Sequence, residues 1–424
     1  MSDHEFGFKT RTLHAGGVPD SATGARAVPI YQSTSFVFED TADAADLFAL
    51  QKYGTIYSRI SNPTTSAFEE RMASLEGGIG AVATASGQAA AFLALTTLAG
   101  AGDHIVAASG LYGGSYTLLN TTMARFGIET TFVPNADADA FAAAITPETK
   151  AIYTETIGNP GGAVADLEVL AEVAHSNGLP LVVDSTFATP WLCRPMEWGA
   201  DIVVHSATKF IGGHGTSIGG VVVEAGTFDW SQGRFPRMTE PIPTYNGLQW
   251  YGNFGEYAYC TALRSEQLRD VGATLSPFNA FLLLQGLETL PLRMDEHVAN
   301  ANKVANWLND DPRISWVAYA DLDDSPYRSL AAKYLPRGAG AIFTFGVKGG
   351  REAGQKLIEG LELISHLANV GDARTLVIHP ASTTHQQLSE EQLEAAGVGA
   401  DMVRLSIGLE DVEDIIWDLD QALG

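Results

Sequence analysis

The sequence predicts an α/β protein: a large, mostly parallel sheet covered on both faces, then a smaller α+β unit. Three observations carry this. From about Glu69 onward, short β-branched runs alternate with helical ones, the pattern of a parallel sheet with crossover helices. Near Pro277 the texture changes to longer helical runs. A chain of 424 residues, 46% of them hydrophobic, can bury a large core divided between two domains.

In order, residues 1–60 show little periodicity and several turn signals, such as Gly16-Gly17, with Asn62-Pro63 just beyond. They read as an extended arm. Ala81–Ala85 reads as a strand and Ala89–Leu98 as a helix. His104–Ala108 is a strand and Ser115–Phe126 a helix. Glu129–Val133 and Ala151–Glu155 are strands, with a short helix near Ala138–Ile145 between them. Leu167–Ser176 is a helix, and Leu181–Asp184, Ile202–His205 and Gly220–Val223 are strands. In the C-terminal part, Phe278–Leu287 and His297–Leu308 are helical, and Pro291 is expected to bend their junction. Ala341–Val347 and Met402–Ile407 read as strands, Ala353–Leu361 and Val412–Leu419 as helices. The expected division is an arm over 1–60, an α/β domain over 61–276 and an α+β domain over 277–424.

Composition excludes several classes of function. The formal net charge is -25, from 50 acids against 25 Lys and Arg, which argues against nucleic acid or an anionic membrane as partner. Residues 77–102 carry no charge and are long enough to span a bilayer, which takes ~20 residues. They contain glycines at six positions and divide into a β-like and a helix-like part, so they read as a buried strand, turn and helix. The polar N-terminus lacks the apolar core of a signal peptide. Cys193 and Cys260 alone cannot form a disulfide framework, which fits a cytoplasmic protein. The histidines show no metal-ligand spacing, so no metal is expected.

One decapeptide carries most of the chemistry: Ser206–Gly215, SATKFIGGHG. Lys209 follows the run Ile202-Val203-Val204 and precedes a glycine-rich turn. Asp184 closes the earlier run Leu181-Val182-Val183. Both fall at carboxyl ends of expected parallel strands, where such sheets bind ligands. A lysine to hold an aldehyde and an acid to keep a ring nitrogen protonated are what a pyridoxal 5'-phosphate enzyme requires. Taken alone, Lys209 could be a solvated lysine at a strand end. Its setting among Ser206, Thr208 and glycines suits a phosphate better. Ser86-Gly87-Gln88 is a glycine turn into a helix N-terminus, another place for an anion, or an ordinary strand–helix turn. Tyr112 could stack on a ring or pack in the core. Glu155 and Asn159 end the strand before Asp184, although Asn159-Pro160 is also a turn signal. Arg404 lies in the apolar run Met402-Val403-Arg404-Leu405 and needs an anionic partner, either a structural acid or a substrate carboxylate. His205 and His214 flank Lys209 and are read as local hydrogen-bonding groups.

These residues belong to longer motifs: YSRISNPT (57–64), SGQAA (86–90), LYGGSY (111–116), ETIGNP (155–160), DSTFATP (184–190), HSATKFIGGHG (205–215), LQGLETLPLRM (284–294) and RLSIGLED (404–411). In kind and order they resemble the Cys/Met-metabolism enzymes dependent on pyridoxal phosphate, of fold type I, over nearly the whole chain. That family includes cystathionine γ-synthase, γ-lyases and the homoserine-ester sulfhydrylases. The length, LYGGSY and the segment 367–385 are most similar to the O-acetylhomoserine sulfhydrylase branch. Gly114 stands where methionine γ-lyases typically carry cysteine, and Ser185 where the family usually has Asn.

The resemblance implies roles. Lys209 would carry the cofactor and move protons between substrate carbons. Asp184 would pair with the ring nitrogen, with Thr186 kept beside it. Ser86, Gly87, Gln88, Ser206 and Thr208 would hold the phosphate, and Tyr57 and Arg59 would reach the phosphate of a neighbouring subunit. Tyr112 would stack on the ring and assist proton transfer. Asn159 would touch the cofactor or substrate, with Glu155 at the substrate side. Arg404, with Ser365 near it, would bind the α-carboxylate. The implied activity is γ-replacement on O-acetyl-L-homoserine by sulfide or methanethiol, giving homocysteine or methionine in methionine biosynthesis. The implied assembly is a homodimeric active unit within a homotetramer. O-succinylhomoserine sulfhydrylase, cystathionine γ-synthase and methionine γ-lyase are alternatives on the same scaffold. A non-catalytic binding protein is the alternative of another class, against which Lys209, Asp184 and Arg404 together speak.

Overall fold

A computed structural model describes residues 4–134, 137–159, 161–383 and 399–424. The first sheet is built from β1 (Gly80–Thr84), β2 (His104–Ala108), β3 (Glu129–Val133), β4 (Thr149–Glu155), β5 (Leu181–Asp184), β6 (Ile202–His205) and β7 (Gly220–Glu224). Their order is β1-β7-β6-β5-β4-β2-β3. β6, β5, β4, β2 and β3 pair in parallel, and β7 runs antiparallel to both β1 and β6. The central strands are continuous apolar runs because helices cover both faces. Val106, Ile152, Val182, Val203 and Val222 are all fully buried.

The helices follow their local signals. Asn62 accepts from Thr64 N at 3.0 Å and Pro63 takes the first turn of the helix Pro63–Glu76, which stops at Gly77 with φ 82°. The uncharged stretch is β1, a turn and the helix Gly87–Leu98. No helix among the described residues is long and apolar enough to cross a membrane.

The remaining strands, β8 (Ile314–Ala318), β9 (Ile342–Val347), β10 (Ser365–His366), β11 (Leu376–Ile378) and β12 (Met402–Ser406), form a second sheet of order β10-β11-β12-β9-β8. All its pairs but β10–β11 are antiparallel.

Three expectations need correction. The first 60 residues are not wholly extended: Phe8–His14 and Thr41–Phe48 are helices, the second capped by Asp40. The expected helix over 115–126 is three pieces, α over Gly113–Thr117, π over Leu118–Thr122 and 3-10 over Met123–Phe126. Its centre, Asn120-Thr121-Thr122, holds poor helix formers. At the expected junction the helices Pro277–Glu288 and Leu290–Asp310 are separate, with Thr289 between them and Pro291 in the first turn of the second, where its missing N–H costs no bond. Strands β8, β10 and β11 escaped the sequence reading, the last two being two and three residues long.

Candidate active site

Parallel strands bring their carboxyl ends to one edge of the sheet. Glu155 closes β4 and Asp184 closes β5, and the two are register partners. His205 closes β6. Asp184 Oδ1 accepts from Thr186 N at 3.0 Å and from Thr186 Oγ1 at 2.5 Å. Thr186 Oγ1 in turn accepts from Ser206 N at 2.8 Å. Thr186 therefore ties the acid of β5 to the turn that carries the lysine.

The Lys209 turn is held by its own backbone. Lys209 N donates to Ser206 O at 3.2 Å and Gly213 N to Lys209 O at 2.8 Å. From the C-terminal side, the buried Arg293 guanidinium donates to the carbonyls of Phe210, Ile211 and Gly286. Burial alone pulls its pKa down to about 10. Gly213, with φ 71°, leaves the space this guanidinium fills. The Lys209 side chain is largely buried, and Nζ donates to Asn369 Oδ1 at 2.6 Å. Burial, then the charge of Arg404, lowers the Lys209 pKa to about 8.

Beside Lys209 lies a cup made by two turns. Ser86 Oγ accepts from Ala89 N at 3.1 Å and so starts the helix Gly87–Leu98. A Cβ on Gly87 would come within 2.8 Å of Ser206 Cα, so only glycine lets the two turns touch. Gln88 Oε1 is buried with no hydrogen-bond partner among the described residues. Thr208 Oγ1 lies 3.1 Å from both Gly219 O and Gly219 N.

Tyr112 caps the next turn with its ring half-exposed, and its N donates to Glu155 Oε1 at 2.8 Å. Glu155 thus faces the Tyr112 backbone rather than open space. Gly114 packs against the Tyr112 ring and the Gln88 amide, both of which would have to shift to admit a side chain there. From the second sheet, Arg404 on β12 donates to Asn159 Oδ1 at 3.2 Å. Arg404 is buried, makes no ion pair among the described residues, and has its pKa lowered to about 10 by that burial. Asn159 and Arg404 are 245 positions apart in sequence, and their contact joins the two sheets. Ser365 on β10 reaches Ser406 through Leu376, two positions from Arg404 on the same sheet face.

Tyr57 and Arg59 are not brought to this cup. Arg59 lies over the Tyr57 ring, 5.4 Å from its centroid, and donates to Arg269 O at 2.6 Å. Tyr57 is 41% exposed. Of the flanking histidines, His205 is fully buried against Glu76 and His214 Nδ1 lies 2.6 Å from Gly212 O. Ser185, the small residue in DSTFATP, is buried with its hydroxyl accepting from Thr156 Oγ1 at 3.0 Å. The sequence reading gave no role to Arg293 or Asn369, although both stand inside segments it singled out. No group of three or more His, Cys, Asp or Glu that could hold a metal is found among the described residues.

The arrangement fits pyridoxal phosphate. An acid, a lysine with a lowered pKa and a cup made by two turns lie at the carboxyl edge of the first sheet, and an arginine with no acid among the described residues reaches Asn159 there from the second sheet. Among the described residues no acid pairs with Arg404, which leaves it available to a carboxylate.

Comparison with known proteins agrees. The family model described as "Cys/Met metabolism PLP-dependent enzyme" matches residues 9–424. The chain is 53% identical to the homocysteine synthase of Schizosaccharomyces pombe, covering 98% of each chain. It is 50% identical to the O-acetyl-L-homoserine sulfhydrylase of Leptospira meyeri, covering 98% of this chain and 96% of that one. In structure it is similar to a candidate O-acetylhomoserine (thiol)-lyase from Campylobacter jejuni, with TM-score 0.96, 40% identity and coverage of 99% of this chain and 100% of the other. That crystal structure contains an N'-pyridoxyl-lysine-5'-monophosphate.

Proposed function

The chain belongs to the Cys/Met-metabolism enzymes dependent on pyridoxal phosphate, and from that premise we propose that it replaces the γ-substituent of O-acetyl-L-homoserine with sulfide or a small thiol. The Cγ–O bond breaks with its electron pair leaving on acetate, and a Cγ–S bond forms from a sulfur lone pair. The products are acetate and homocysteine, or methionine when methanethiol is the donor. The observation that carries this reading is the convergence of Lys209, Asp184 and an Arg404 with no acid partner among the described residues on one site, in a chain about half identical to a named homocysteine synthase and a named O-acetyl-L-homoserine sulfhydrylase.

Bound pyridoxal phosphate would supply the sink for electron pairs released at substrate carbons. The chain's residues would do the rest. Asp184, held by Thr186, would keep the proton on the ring nitrogen. Ser86, Gly87, Gln88, Ser206 and Thr208 would hold the phosphate. Arg404, steadied by Asn159, would fix the α-carboxylate with its planar fork, and Ser365 lies along the same face. The Lys209 amine would move protons among Cα, Cβ and Cγ, with the Tyr112 phenol beside it. Glu155 would act through the Tyr112 backbone that it accepts from. Gly114 supports the sulfhydrylase reading over a methionine γ-lyase, since the site is packed around its missing side chain.

The same proposal makes the active unit a homodimer within a homotetramer, with Tyr57 and Arg59 reaching a neighbour's phosphate. Their exposure, and their distance from their own cup in hydrogen-bonding terms, support it. A cytoplasmic location fits two free, buried cysteines. The test is a substrate panel: acetyl- and succinyl-homoserine, each with sulfide and methanethiol, beside ketoacid release from methionine. Homocysteine from the acetyl ester and sulfide as the fastest reaction is expected. Ketoacid from methionine as the dominant product would overturn the reading.

A further inference from the structure

Lys209 Nζ has one protein hydrogen-bond partner among the described residues, Asn369 Oδ1, and the contact is short at 2.6 Å. An ammonium only donates, so the amide must present its oxygen. The segment that carries Asn369 is not a loose loop. Val370 is buried. Gly371 N donates to Ser406 Oγ at 2.9 Å, on the strand that bears Arg404. Gly371 has φ 75°, and a Cβ there would lie 2.6 Å from Phe210 N and 2.9 Å from Lys209 C. Ala373 N donates to Gly213 O at 2.9 Å. Residues 369–373 are therefore laid directly on the lysine turn, and a glycine is required at 371 for the two to meet.

We propose that Asn369 is a positioning residue that receives the Lys209 ε-amino group whenever a substrate amine has displaced it from the cofactor. This rests on the reading of Lys209 as the cofactor-bearing lysine. A neutral amide suits the task. It orients the freed amine and holds it near the reacting carbons, yet adds no negative charge to trap it as an ammonium. A carboxylate in the same place would stabilise the protonated amine and hold it back from reattachment. Burial and Arg404 both disfavour the charged amine, so a directed acceptor is what keeps the displaced lysine ordered.

The experiment uses the holoenzyme at pH 7 with n-butylamine, a displacing amine that carries no carboxylate for Arg404. Borohydride trapping and peptide mapping give the fraction of cofactor left on Lys209 as amine concentration rises. Asn369→Leu removes the acceptor, so half-displacement should need about tenfold more amine, the worth of one hydrogen bond to a charged group. Asn369→Asp, nearly the same size, should shift it the other way, because the freed ammonium gains a carboxylate. Opposite shifts in the two variants support the assignment. Shifts in the same direction, or no shift in the aspartate variant, overturn it, since a merely structural asparagine would be damaged by either change. If trapping in the unmutated enzyme maps the cofactor to another lysine, the underlying reading fails instead.

Discussion

Glu155 and Asp184 stand side by side as register partners at the ends of β4 and β5, one carboxyl buried and the other partly buried on one edge. They cannot both stay ionised at little cost. Burial and then the Asp184 charge push the Glu155 pKa well up. Burial also raises Asp184, but two hydrogen bonds from Thr186 and the nearby His205 oppose the rise. Of the two, Glu155 is the one pushed further toward the protonated form, and Asp184 is the better placed to stay the anion available to a ring nitrogen.

Glu155→Gln should be nearly silent. It keeps an acceptor for Tyr112 N and removes a carboxyl that burial and Asp184 push toward the neutral form. We expect kcat/KM to fall by no more than about threefold, whereas Glu155→Ala, which takes the acceptor from the Tyr112 N–H, should cost about 1–3 kcal/mol, or about fivefold and more. Steady-state kinetics on both variants decides it. A Gln variant as poor as the Ala variant would mean that the Glu155 charge itself is used.

Lys209 ties chemistry to stability. Its pKa is about 8 in the fold against 10.5 ordinarily. Between those values the unfolded chain binds more protons than the folded one, so this group makes stability rise with pH across that window. Below pH 8 the folded protein bears the full penalty. Lys209→Met should thus be more stable than the cofactor-free parent at pH 7, with the difference shrinking toward zero by pH 10.5. Calorimetry across that range, on cofactor-free protein, reads it directly. The same variant should have no turnover, and borohydride should attach cofactor to Lys209 in the parent alone. A stability difference that stays constant with pH would remove the depressed amine from the account.

Arg404→Lys should raise KM for the ester by about tenfold or more while cofactor affinity changes little, because lysine keeps the charge but loses the planar two-point fork. Its head would also lose the Asn159 contact that aims it. Loss of cofactor with KM unchanged would assign Arg404 to the cofactor site or the core.

Most of this site was legible because its parts sit at strand ends with strong local signals. Asp184 and Lys209 follow clean β-branched runs, and the turn at Ser86 has a cap and a glycine. What stayed hidden depends on contacts far apart in sequence. Asn369 reaches Lys209 across 160 positions, from a segment with no periodicity of its own. Arg293 falls between two expected helices with no local signal, and only the fold shows it buried against the carbonyls of Phe210, Ile211 and Gly286. Strands β10 and β11 are too short to carry an alternation, so the sheet edge beside Arg404 could not be drawn in advance. The family resemblance puts Glu155 at the substrate side. The structure turns it toward the Tyr112 backbone, which no sequence pattern reports.

The last prediction concerns the arm. Tyr57 and Arg59 precede the helix Pro63–Glu76, and within their own chain they pack on each other and on Arg269 O, not on the Ser86 cup. Val37, Tyr53 and Tyr57 are exposed at 99%, 80% and 41%, an apolar surface that a second copy could cover. If the arm completes a neighbour's phosphate site, each site of a two-fold dimer draws on two chains. Arg59→Ala and Lys209→Ala should each be inactive as pure proteins. Mixed under subunit exchange, they should recover activity, because a mixed dimer contains one site with native Lys209 from one chain and native Arg59 from the other. Random pairing makes about half the dimers mixed, each with one of its two sites intact, so recovery should approach a quarter of the parent's activity. Exchange is verified separately with differently tagged chains. No recovery despite verified exchange would place Arg59 in its own chain's fold, as a local brace for Arg269, and would leave the phosphate to the Ser86 and Ser206 turns alone.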